Sequence, residues 1–239
     1  MSWPPAFVRA RTSLSAWFYS SRSATTHTDI VLRARKAGLT VRTIPNASVM
    51  GAIGATGLQL YSFGQTVSIP FFTESWRPDS FVERIVANRK AGLHTLCLLD
   101  IKVKEPDYEA LTRGVFNAPP LPPRFMTVGV AAAQLLEAIS KRREGGAAED
   151  DDATAAAGAG AARETTMTGD LIDEETLGIG CARLGQPTET IVAAPLKQLC
   201  GEVGLGGPLH CLVIPAPELH ELELEFLEGF RGAGRSAGS

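Results

Sequence analysis

His27, His94, His210 and His220 are the four side chains in this chain whose charge changes near neutral pH. A histidine can act as a general base, a metal ligand or a hydrogen-bond partner, and its surroundings separate these roles. A zinc site needs three or four convergent ligands, and no spacing here supports one, so no metal is expected. His220 lies among glutamates and reads as solvated. His94 precedes an apolar run and reads as a structural hydrogen-bond partner. His27 and His210 adjoin a strand end or loop, where ligand-binding groups gather in open α/β sheets. The four cysteines, Cys97, Cys181, Cys200 and Cys211, form no Cys-x-x-Cys pair. Cys97 and Cys211 sit in apolar runs, where a thiol packs as a small hydrophobe. No Gly-x-Ser-x-Gly elbow and no paired carboxylates are signalled. Gly51, Gly54 and Gly57 recur every third residue, which is not the dinucleotide-binding spacing. These residue types by themselves assign no catalytic group.

The elements that would position such residues follow an alternating pattern. Residues 29–38 read as a helix ending at Gly38, and 39–44 as a β-branched strand. The glycine run 47–63 reads as one tightly packed helix, and 66–72 as a strand whose Pro70 sits at a sheet edge or a strand end. Residues 80–91 carry Phe81, Ile85 and Val86 on one helical face, and 94–101 form a continuous apolar strand. A loop over 102–125 leads to a helix from Thr127 to about Arg143. Strands follow at 177–183, 189–193 and 209–214, with a short helix opened by Pro195 and a last helix over 218–230. Helices alternating with strands predict an α/β protein.

Composition narrows the function. The 239 residues carry a net charge of -3, with 44% hydrophobic and 21% charged residues. A globular core is possible, and no basic field draws nucleic acid or an anionic membrane. No apolar stretch approaches the roughly 20 residues that span a bilayer. Residues 145–168 are small and acidic and read as a disordered insertion. Met1 to Thr28 lacks Asp and Glu but holds Arg9, Arg11 and Arg22, a transit-peptide-like composition or a spurious start.

Three segments carry a resemblance: Thr25-Thr26-His27-Thr28-Asp29 to Ala37; Asn46-Ala47-Ser48-Val49-Met50 through Gly57 to Ile69; and Gly92 through His94-Thr95-Leu96-Cys97-Leu98-Leu99-Asp100-Ile101 to Glu105. Pro123–Thr127, Ala182–Gly185 and Pro208–Ile214 continue it in order. Together they resemble the diphthine synthase family, over roughly residues 24–227. The resemblance implies a two-domain α/β fold of the class III, tetrapyrrole methylase-like methyltransferases. It implies S-adenosyl-L-methionine as cofactor and, as substrate, the aminocarboxypropyl-modified histidine of translation elongation factor 2, in diphthamide biosynthesis. It also implies a homodimer in the cytoplasm. The family's cofactor contacts match Ser48, Val49, Leu99, Leu184 and His210.

Departures from the family are concentrated at the start. The family's opening strand and Gly-rich loop have no counterpart, and Ser20 and Ser23 stand where a Gly-Asp-Pro-x-Gly turn has its aspartate and glycine. The expected organisation is an unmatched 1–24, a truncated N-terminal domain remnant over 25–70, a C-terminal domain over 71–230 and a loose tail over 231–239. Two alternatives to an active enzyme are a non-catalytic remnant that binds a partner and a tetrapyrrole methylase.

Overall fold

A computed structural model describes residues 15–18, 25–43, 46–117, 119–148, 172–201, 203–232 and 235–236. The chain separates into two compact units, residues 1–52 and 53–239. This division lies ahead of the 70/71 boundary read from the sequence.

The first unit holds strand β1 (Ser15–Phe18), helix α1 (Thr25–Lys36), strand β2 (Thr40–Thr43) and the one-turn helix α2 (Val49–Ala52). β1 and β2 run parallel, from Ser15 opposite Thr40 to Phe18 opposite Thr43, with α1 as the crossover. β1 falls within the stretch that the sequence leaves unmatched. An ion pair of 2.8 Å joins exposed Asp29 and Arg33 one turn apart on α1. The helix ends as expected: Leu39 N–H bonds the Ala34 carbonyl and Gly38 N–H that of Arg35.

The second unit is built on a mixed six-stranded sheet. Its strands are β3 (Val67–Ile69), β4 (Thr95–Leu99), β7 (Leu177–Ala182), β8 (Thr190–Pro195), β9 (His210–Ile214) and β10 (Arg235–Ser236), in the order β10-β8-β7-β9-β4-β3. Only β3 and β4 are parallel; the other neighbours are antiparallel. A small ribbon pairs β5 (Ile101–Lys102) with β6 (Arg124–Phe125). The tail expected to be loose contributes β10, because the outer edge of β8 offers backbone groups that a strand can bond.

Side chains alternate across the sheet and fill a core on each face. On one face Cys97, Leu99, Leu212 and Ile214 meet helix α3 (Ser80–Lys90) through Phe81, Val82, Ile85 and Val86. Helix α5 (Val128–Ala148) adds Ala131, Ala132, Leu135, Ala138 and Ile139, and helix α6 (Leu196–Leu199) adds Leu196 and Leu199. On the other face Leu96, Cys181, Cys211 and Val213 meet Ile53, Leu58 and Leu227, the last from helix α7 (Glu221–Glu228). A short helix α4 (Tyr108–Thr112) interrupts the loop expected over 102–125. The insertion read over 145–168 begins inside the last turn of α5; its residues 149–168 lie outside the described residues.

The glycine run corrects one reading. It is not one helix but α2 followed by two 3-10 turns, Ile53–Thr56 and Leu60–Ser62. Gly57 interrupts it, with φ at +81, where an α-helix cannot continue. A Cβ built on Gly57 would lie 2.2 Å from the Phe226 ring. The glycine therefore serves a turn packed under α7, and the close approach read along the whole glycine run does not extend to Gly51, where nothing lies within 4 Å of a built Cβ.

Candidate cofactor site

Ser48 and Val49 belong to the first unit. Ser48 caps α2: its carbonyl accepts from Gly51 and Ala52, and its Oγ accepts from Met50 N–H at 3.3 Å. Val49 opens the helix with its side chain exposed.

Leu99, Leu184 and His210 belong to the second unit, and topology brings them to one end of its sheet. Leu98 pairs with Cys211 in the antiparallel β4–β9 ladder, so Leu99 and His210 are the next residues outward. On the other side of β9, His210 pairs with Ala182, the last residue of β7, and Arg183 and Leu184 form the turn beyond it. β3 and β4 are parallel and both finish at this end, at Ile69 and Leu99. Ligands in open α/β sheets bind beyond the carboxyl ends of parallel strands.

The N-terminus of α5 closes on the same place. Met126 N–H bonds the Asp100 carbonyl at 3.0 Å, which ties the helix start to the end of β4. Phe71 N–H bonds the Asp100 carboxylate at 3.1 Å, which ties the exit of β3 to it as well. Two cavities result. One of about 480 Å³ is lined by Thr127, Val128, Gly129, Leu205, Gly206 and His210 among others. The second, about 240 Å³, is lined by Ser68, Ile69, Pro70, Leu98, Leu99, Asp100 and Ile101.

The His210 ring is fixed from both sides. Its Nδ1 accepts from Val128 N–H at 3.3 Å, so Nε2 carries the proton and donates to the carbonyls of Gly206 at 3.1 Å and Gly207 at 3.0 Å. Burial lowers its pKa, against the two carbonyls that favour the charged ring. The imidazole is thus a neutral wall of the cavity. Gly180 on β7 permits this packing, since a Cβ there would lie 2.9 Å from Leu205 and 3.0 Å from Val128.

The other histidines do different work. His94 Nδ1 accepts from Ala216 N–H at 3.0 Å, and its Nε2 lies 3.2 Å from Glu223 Oε1. It is the structural partner read from the sequence. Glu223 also accepts from the N–H groups of Gln59 and His220. Burial works against the charged carboxylate, but these hydrogen bonds prevail and lower its pKa. His220 is exposed, as expected, and is the N-cap of α7, where its Nδ1 accepts from Leu222 N–H at 3.2 Å. The side chain of His27 lies outside the described residues.

Burial pushes the Cys97 thiol up, and the hydrogen bond to Cys211 together with burial does the same for Cys181. Neither is a nucleophile. Among the described residues no His, Cys, Asp and Glu cluster is placed to hold a metal ion. No helix among them is long and apolar enough to cross a membrane. Sequence reasoning missed Thr127 and Val128 as cavity residues, although Pro123–Thr127 carried part of the resemblance. It also missed Arg183, two of whose partners, the Leu205 and Gly207 carbonyls, are brought near only by the tertiary fold.

The chain is 48% identical over 210 residues to the diphthine methyl ester synthase of Neurospora crassa, covering 87% of this chain and 63% of that one. It is 46% identical over 209 residues to the diphthine methyl ester synthase of Homo sapiens, covering 87% and 64%. Among solved structures, one from Entamoeba histolytica described as a candidate diphthine synthase superposes with a TM-score of 0.66 at 40% identity, covering 87% of this chain and 66% of that one. A second diphthine synthase structure gives 0.60 at 26%, covering 88% and 62%. The chain therefore spans less than two thirds of the length of these relatives. No family model matches it. Identity near one half over most of the chain, with the fold to match, leads to one conclusion: the chain belongs to the diphthine synthase family, and its fold is the α/β fold of the class III methyltransferases.

Proposed function

We propose that the chain acts in diphthamide biosynthesis as an S-adenosylmethionine-dependent methyltransferase. Its substrate is the aminocarboxypropyl-modified histidine of translation elongation factor 2, and it works as a cytoplasmic homodimer. One observation supports this most: Leu99, Leu184 and His210, the second-unit positions matched to family cofactor contacts, stand at one end of one sheet, where His210 lines a cavity of about 480 Å³ and Leu99 one of about 240 Å³.

The residues present suit an adenosyl group. The cavity wall combines apolar Val128, Val203 and Leu205 with Gly129, Gly204 and Gly206, where a flat ring can approach backbone closely. His210 is neutral and adds no repulsion toward a cationic sulfonium. Leu99 and Leu184 offer apolar surface. When bound, the cofactor supplies an already activated methyl group. The chain's task is then to orient the nucleophile in line and to exclude water. No protein base is assigned, and the amine needs only to be unprotonated to attack.

Mass spectrometry of elongation factor 2 carrying the unmethylated aminocarboxypropyl group, after incubation with the chain and S-adenosylmethionine, tests the reading. A gain of methyl groups is expected; unchanged mass with intact cofactor contradicts it. A second reading, a chain that docks to the elongation factor without transferring methyl, draws on Ser20 and Ser23 at the positions of the family's turn. Those two residues lie outside the described residues. Binding to the factor with no methyl transfer is its expected outcome.

A further inference from the structure

Arg183 makes contacts unlike those of a surface arginine. Its Nε donates to the Thr188 carbonyl and hydroxyl, both at 3.0 Å. One terminal nitrogen donates to the carbonyls of Leu205, at 2.8 Å, and Gly207. The other donates to the Thr188 carbonyl at 2.7 Å and the Thr190 hydroxyl at 3.2 Å. The whole guanidinium fork is thus spent on neutral oxygens from two separate segments, with no carboxylate among these partners. Its backbone is bent to suit, at φ +52. A non-glycine residue with positive φ persists only where its surroundings over-determine it. The Arg183 N–H bonds the Leu209 carbonyl at 2.9 Å, next to His210. Gly206, with φ +70, lies under the guanidinium: a Cβ there would sit 3.5 Å from it.

These contacts end on the segment that shapes the larger cavity. Leu205 and Gly206 line it, and the Gly206 and Gly207 carbonyls receive the His210 ring proton. We propose that Arg183 is a positioning residue for the cofactor pocket: it clamps the 205–207 loop against the 184–189 turn, and so fixes both the His210 ring and the turn that carries Leu184. The inference rests on the cofactor reading above for its consequence, but the clamp itself is a property of the chain alone. Lysine would not replace it, because a point charge cannot bridge two segments with a planar fork.

The test uses the full chain with two variants. Arg183→Gly tolerates the positive φ and removes the clamp, so loss of the fork is separated from backbone strain. Arg183→Lys keeps the charge and removes the fork. Without cofactor, both are expected to fold cooperatively, to speed amide exchange over 203–207 by about tenfold, and to move the His210 nitrogen resonances toward those of a solvated imidazole. With S-adenosylhomocysteine as the probe, both are expected to bind about tenfold more weakly than the unaltered chain. Unchanged His210 resonances and unchanged loop exchange in either folded variant overturn the proposal, as does full rescue by lysine. If the unaltered chain takes up no S-adenosylhomocysteine, the cofactor reading falls. The His210 resonances and loop exchange, read without cofactor, then still decide the clamp.

Discussion

At the scale of single residues, the buried His94 and the half-buried His210 give the chain a pH signature. Burial holds both His94 and His210 below the ordinary histidine value. In the unfolded chain both titrate near an ordinary value of about 6.5. Below that pH the unfolded chain binds more protons than the folded one, so stability falls as pH drops and is unaffected well above it. Glu223 acts at lower pH in the same direction: its folded pKa is depressed, so its contribution is present above the ordinary carboxylate range and lost as pH falls through the folded value. Urea midpoints should therefore fall between pH 7.5 and pH 5.5, and His94→Gln should shrink that fall. A variant with the same pH dependence as the unaltered chain would remove His94 from this account. The structural role of His94 and the exposure of His220 were legible from their neighbours in sequence, but the capping role of His220 was not. That of Glu223 was not, since a glutamate in a Glu-rich helix looks solvated. It is buried because the third position of α7 faces His94 and accepts from the N–H groups of Gln59 and His220.

At the scale of elements, most strands and helices were readable because apolar alternation and apolar stripes report the two faces of the sheet. The run 47–63 was not, because glycine at every third position fits a helix as well as a series of turns. What decides it is Phe226, some 170 residues away in the chain and invisible to any local pattern. Gly57→Ala should cost about 1–3 kcal/mol, since positive φ and a crowded aromatic ring both oppose a Cβ. Chemical denaturation measures this, and a change within error would mean that α7 moves aside freely. Gly180→Ala is expected to act differently. Its Cβ meets the side-chain ends of Leu205 and Val128, which can shift, so S-adenosylhomocysteine affinity should suffer more than stability. Equal affinity with lowered stability would place Gly180 in the core alone.

At the scale of the whole molecule, family membership rests on long strings such as HTLCLLDIKVKE, and the structure explains why they are long. That segment is at once a buried central strand, the end of the strand that carries Leu99, and the exit toward the exposed loop with Val103 and Phe116. Packing and surface demands fall on consecutive residues, and Leu99, matched to a family cofactor contact, lies between them. The positions matched to cofactor contacts could be named from resemblance, but composition and spacing alone would have stopped at an α/β protein, because Leu99 and Leu184 look like any core leucine. Only the ladder registers bring them beside His210. The most direct test is a calorimetric titration of this chain, as it stands, with S-adenosylmethionine. The account predicts saturable one-site binding that His210→Ala weakens while the chain stays folded. No binding by the folded chain, or binding that His210→Ala leaves unchanged, would contradict it.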